Sequence, residues 1–190
     1  MNKLSSKEGA AAGDEVLADR AQAGDRAAFE SLVKKYGPVL FNFAYRFMQD
    51  EDAAKDICQE AFLAAYEKIG VFDPERGTLR SWLFKITANL SLNELDRRNR
   101  AGSEETKDRV AERLYHRGGG SGRADHGEVA ALRGAIEALP PTDRQMILLS
   151  YYHDLSYKEI SYALSIPIGT VKSRMHHAVE SLRVRLDRGL

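Results

Sequence analysis

The chain has 190 residues, with 28 basic side chains, 28 acidic ones and a single cysteine. That length fits one large domain or two small ones. A lone cysteine excludes an internal disulfide and a thiolate zinc cage, and no apolar run approaches the roughly 20 residues that span a bilayer.

The first residues, MNKLSSKEGAAAGDEV, lack the apolar centre of a secretory signal, which predicts a cytoplasmic protein. Residues 1–13 read as a disordered tail. From Asp14 to Arg100 apolar residues recur at helical spacing, and no strand alternation interrupts them. Acidic side chains outnumber basic ones over residues 1–75, and the balance reverses over residues 76–100. On a helix from about Glu51 to Ile69, Ile57, Cys58, Ala61, Ala65 and Ile69 share one face. Asp52, Asp56, Gln59 and Leu63 form the opposite stripe, with Glu60 at its edge. An acidic stripe carrying one exposed leucine suits protein docking as well as simple solvation.

The next helix, from about Thr78 to Arg98, is apolar on two sides. Leu79, Trp82, Leu83, Ile86 and Leu90 make one face and Phe84, Ala88, Leu92 and Leu95 the other, which leaves Lys85 and Asn89 on a narrow polar seam. Trp82 lies on an apolar arc and is expected in the core. Residues 101–127 are rich in glycine, serine and charge. They read as a flexible linker with a short helix through Val110 to Tyr115.

Residues 128–190 return to helical patterning. TDRQ (Thr142–Gln145) and SYKE (Ser156–Glu159) both read as capping boxes, in which a hydroxyl caps a free N–H and the longer side chain reaches back. Helix SYKEISYAL, turn SIP and a more basic helix from Ile168 match a helix-turn-helix. On a wheel, Val171, Met175, Ala178, Val179, Leu182 and Leu186 of the second helix point inward. Ser173, His176, His177 and Glu180 point outward, flanked by Lys172 and Arg174. Adjacent histidines diverge by about 100° and chelate one ion poorly, since metal pairs prefer i, i+4 spacing. No metal or cofactor is therefore expected. Cations and short polar groups suit phosphates and base edges, and the helix start near Thr170 suits a phosphate.

The segments GDRAAFESLVKKYGPVLFNFAYRFM, DEDAAKDICQEAFLAAYEKI, TLRSWLFKITANLSLNELDRR and LPPTDRQMILLSYYHDLSYKEISYALSIPIGTVKSRMHHAVESLR follow in order. Together they resemble bacterial extracytoplasmic-function (ECF) sigma factors of the sigma-70 family. The resemblance implies an all-α fold of two small helical domains on a flexible linker, region 2 over residues 14–100 and region 4 over residues 128–190. Region 4 would be the helix-turn-helix. Such proteins bind core RNA polymerase, region 2 on the clamp helices of the beta-prime subunit and region 4 near the beta flap, and direct it to promoter DNA. By resemblance, Asp52, Asp56, Gln59, Glu60 and Leu63 would meet the clamp. Arg76, Gly77, Thr78, Lys85 and Asn89 would capture unstacked bases of the −10 element, while Arg97 and Arg98 meet backbone phosphate. Thr170, Lys172, Ser173, Arg174, His176 and His177 would read the −35 duplex. An anti-sigma factor, often membrane-bound in this family, is the further partner implied.

Family members often carry an arginine where His177 stands, and frequently another at Val179. Two other readings remain: a conventional helix-turn-helix regulator with an N-terminal sensing domain, and an enzyme acting on nucleic acid. The first needs neither the acidic stripe nor the polar seam. The second lacks a carboxylate cluster, a nucleophile–base pair and a phosphate-binding glycine loop, so no small-molecule substrate is expected.

Overall fold

A computed structural model describes residues 3–104 and 126–187, with side chains described from 13 to 101 and from 130 to 187. The helix expected over Val110 to Tyr115 lies outside the described residues. The helices are α1 (Lys3–Gln22), α2 (Arg26–Met48), α3 (Glu51–Lys68), α4 (Leu79–Glu104), α5 (His126–Glu137), α6 (Pro141–Ile147), α7 (Tyr157–Leu164) and α8 (Ile168–Asp187). A short 3₁₀ turn, Ile69–Val71, follows α3, and a widened π turn, Leu148–Tyr152, follows α6. The described residues contain no strand, and no helix among them is long and apolar enough to cross a membrane.

Local chemistry sets the boundaries in the first bundle. Gly24 adopts a φ of +90°, which only glycine takes without strain, and Asp25 then caps α2 by accepting from the Ala28 N–H at 3.1 Å. Asp50 caps α3 in the same way, from Ala53 N–H at 3.0 Å. Thr78 performs this service for α4, its Oγ1 accepting from Ser81 N–H at 3.2 Å. Helix α1 starts at Lys3, within the stretch the sequence reads as a tail, and α4 continues through 101–104, into the expected linker.

Helices α1 to α4 pack around Leu32, Leu40, Phe43 and Phe47 of α2, Ala54 and Ile57 of α3, and Leu83 and Phe84 of α4, all buried. Trp82 is buried too, its ring 5.5 Å from that of Phe72. Tyr36 ties α2 to α1 by donating to Asp14 Oδ2 at 2.5 Å, and burial together with that carboxylate pushes the phenol pKa well up. Cys58 is half-buried, and burial raises its thiol pKa.

The second bundle packs Ile136, Met146, Leu149, Ile160, Val171, Met175, Ala178 and Leu182. Ser156 and Glu159 form the reciprocal capping box that the sequence announces. The one expected at Thr142 does not form: α6 begins a residue earlier at Pro141, with Pro140 as its cap. Proline fits the first helical position because its φ is preset and its missing N–H would be unpaired there anyway. Gln145 is fully buried instead. Val179 also departs from expectation, being 38% exposed. It stands at the edge of the apolar arc, and the covered side is the Ala178 side. Ser165 (φ 55°) ends α7 in the left-handed region, which turns the chain into α8.

The two bundles dock on each other, chiefly through α4 against α7.

Candidate nucleic-acid and polymerase interfaces

Three surfaces carry the candidate residues. The first is the outer stripe of α3. Asp52, Asp56, Gln59, Glu60 and Leu63 are all exposed, Leu63 by 59%. Asp50 and the first-turn acids Glu51 and Asp52 lie at the positive end of the helix dipole. Lys55 partly offsets them, 2.9 Å from Glu51 and 3.7 Å from Asp52. Beside this stripe, Ala53, Asp56, Ile57 and Glu60 face Leu90, Asn93, Glu94 and Arg97 of α4 across a cleft of about 280 Å³.

The second surface is the loop before α4 and the seam along that helix. Gln22 pins the loop from α1, its Nε2 donating to Ile69 O at 2.9 Å and Phe72 O at 2.8 Å. Asp73 closes a side-chain turn by accepting from Glu75 N–H at 3.0 Å. Arg76 and Thr78 are exposed, and Gly77 and Lys85 are half-buried. Asn89 is exposed one helical turn beyond Lys85. The arginines at the far end of α4 are engaged in ion pairs. Arg97 forks onto Glu94 at 2.7 and 2.9 Å. Arg98 meets Glu94 at 2.6 Å and Asp50 at 2.9 Å. Hydrogen bonds from Arg97, then Arg98, hold the Glu94 carboxyl below its usual range. Asp50 is lowered chiefly by the Ala53 N–H, with Arg98 adding. Phosphate contact by either arginine would compete with these carboxylates.

The third surface is the outward face of α8. Lys172, Ser173, His176 and His177 are exposed and Thr170 is half-buried. The two imidazoles lie 5.8 Å apart at 60°. Ser173 Oγ donates to Thr170 O at 3.2 Å. Arg174 is half-buried, and its Nε donates to Asp143 Oδ1 at 2.7 Å, tying α8 to α6. The described residues hold no His, Cys, Asp or Glu group suited to a metal.

This is a helix-turn-helix with an exposed polar face, on one chain with a four-helix bundle that carries an acidic stripe and a polar seam. Residues 32–101 match Sigma-70 region 2, and residues 130–182 match Sigma-70, region 4. The chain belongs to the sigma-70 family. Within it, this sigma factor is 34% identical to the ECF RNA polymerase sigma factor SigE of Mycolicibacterium smegmatis, over 84% of this chain and 63% of that one. It is 34% identical to the RNA polymerase sigma-H factor of Pseudomonas aeruginosa, over 89% of this chain and 91% of that one. Among solved structures it is similar to CnrH in complex with the cytosolic domain of CnrY. The TM-score there is 0.67 at 27% identity, covering 93% of this chain and 98% of that one.

Sequence reasoning missed the residues by which region 4 rests on region 2. Gln145 Nε2 donates to Ala88 O at 2.7 Å, and Arg144 Nη1 donates to Phe47 O at 3.2 Å. Arg80 donates to His153 O, and the His153 ring lies between Phe84 at 5.0 Å and Phe43 at 5.8 Å. Arg46 stacks on Tyr152 at 4.0 Å. A glutamine in the apolar run QMILL is the one sequence signal that pointed here, since a buried amide needs a partner.

Proposed function

We propose that this protein is an alternative sigma factor that binds core RNA polymerase and confers promoter choice on it. Its acidic α3 stripe docks on the clamp of the beta-prime subunit, and region 4 lies near the beta flap. The loop before α4, with Arg76, Gly77 and Thr78, and the seam of α4, with Lys85 and Asn89, take unstacked −10 bases, and Arg97 and Arg98 take adjoining phosphate. Thr170, Lys172, Ser173, Arg174, His176 and His177 read the −35 duplex. It contributes specificity and no covalent chemistry. Strand opening follows from binding the unstacked strand better than the duplex, a shift in population set by differential affinity. The protein acts in the cytoplasm, and an anti-sigma factor restrains it.

The observation that carries this reading is the presence, in family order, of both matched regions on one chain. A sensing domain would have no use for region 2, which disfavours the conventional regulator. The test is transcription from a promoter library by core polymerase with and without the chain. Defined new start sites are expected. Transcripts no different from those of core enzyme alone would refute the proposal.

A further inference from the structure

Thr170, Ser173, Arg174 and His177 follow at helical spacing and share one face of α8. Their side chains are not held alike. Ser173 bonds within its own helix, to Thr170 O, and the His177 ring meets that of His176. Arg174 reaches a different helix, its Nε donating to Asp143 Oδ1 at 2.7 Å. The Asp143 side chain is only 16% exposed, while that of Arg174 keeps 37% of its surface open. Asp143 stands in the first turn of α6, and Gln145, Met146 and Ile147 of that helix are buried. The carboxylate is thus carried on a support fixed by packing, and α6 itself packs on α8.

A guanidinium carries five N–H donors in one plane. The bond to Asp143 uses Nε, which leaves the two terminal nitrogens as a parallel pair. Such a pair matches O6 and N7 of guanine, the acceptors that arginine meets together in the major groove. An unrestrained arginine loses rotamer freedom when it binds, and one already held by a carboxylate loses less. Lys172, two residues earlier, is exposed. Its ammonium is a point charge that a phosphate can meet from many directions, so it needs no such restraint.

We propose that Asp143 is a positioning residue for −35 reading: its carboxylate fixes the Arg174 guanidinium so that the terminal nitrogens address one guanine of the duplex. This rests on the −35 reading of α8 given above, to which it adds a base and a residue. Asp143 touches no base and acts through Arg174. It lies 31 residues before its partner, outside the recognition helix. The two residues therefore form one reading unit, and loss of either should relax selection at the same base pair.

The test uses the full-length chain assembled with core polymerase and a random-sequence duplex DNA library. Bound duplexes are sequenced, and base preference is read position by position for the parent, Arg174→Ala, Asp143→Ala, Asp143→Asn and the double alanine variant. The parent should select a guanine that Arg174→Ala no longer selects. Asp143→Ala should lower preference for that same guanine by about tenfold and leave the other positions unchanged. The double variant should be no worse than Arg174→Ala. Asp143→Asn keeps an oxygen for Nε and should retain part of the preference, and it serves in place of Ala if Ala impairs folding. Parental guanine preference in both Asp143 variants would overturn the proposal. Equal weakening at every position would also overturn it, reducing the pair to a strut between helices. If the parent selects a −35 sequence and Arg174→Ala selects the same one, this inference alone fails. If the parent selects none, the −35 reading fails and takes the inference with it.

Discussion

Asn89 concentrates the residue-scale argument. It is exposed on α4, and on the same helix Phe84 is fully buried, its ring 5.5 Å from that of Phe43 within the same bundle. The helix is thus fixed in rotation at this point, so the Asn89 amide projects in a fixed direction from a rigid support. An amide offers a donor and an acceptor to one base edge. Asn89→Ala should lower promoter opening by roughly tenfold, which corresponds to about 1.4 kcal/mol. Permanganate reactivity of unpaired thymines reads this, while binding to core polymerase, read by gel filtration, stays at the parental level. Equal loss in both assays would remove Asn89 from the strand-binding role. Arg97 and Arg98 make a different kind of site, since each already holds a carboxylate. Their contribution to phosphate binding is the difference between two charged partners rather than the worth of a free cation.

At the scale of elements, α7 shows how much one local motif secures. It is a helix of 8 residues, too short to be stable by itself in water. Ser156 and Glu159 satisfy two of its free N–H groups, at 3.3 Å and 2.9 Å. Ser156→Ala should cost about 1 kcal/mol, which for a chain of this size lowers the melting temperature by about 2–4 °C. Differential scanning calorimetry measures it, and an unchanged melting temperature would show that tertiary packing alone holds α7. That cap was legible in the sequence because both partners lie within four residues. The start of α8 at Ile168 and the burial of Trp82 were legible for similar reasons, through turn chemistry and apolar period. Gln145 and Val179 were not. Period assigns a residue to a face but does not reveal which body covers that face. The Thr142–Gln145 pattern looked local while Gln145 was in fact committed to α4, in the other region.

The same limit recurs for the whole molecule. His153 sits 6% exposed between two phenylalanines of region 2, and nothing in its own stretch of sequence names that partner. Its Nε2 is buried and has no hydrogen-bond partner in the structure. Burial, with Arg80 and Arg46 adding repulsion and Asp154 a weaker opposing attraction, pushes its pKa down to about 4. Once the regions separate, the imidazole returns to solvent and to its ordinary value of about 6.5. Between those values only the undocked form binds the proton, so acidification draws the chain open. Docking is at full strength above pH 6.5, weakens as pH falls toward 4, and changes no further from this residue below that. The span corresponds to a loss on the order of 3 kcal/mol. Small-angle scattering of the full chain should show the radius of gyration rising as pH is lowered from 7.5 to 4.5. His153→Leu keeps the apolar contact without a titrating group, and its radius should vary much less over that range. Parallel curves for the two proteins would place the pH response elsewhere. An outcome as expected would place the pH response of docking at His153, in the joint between the two regions.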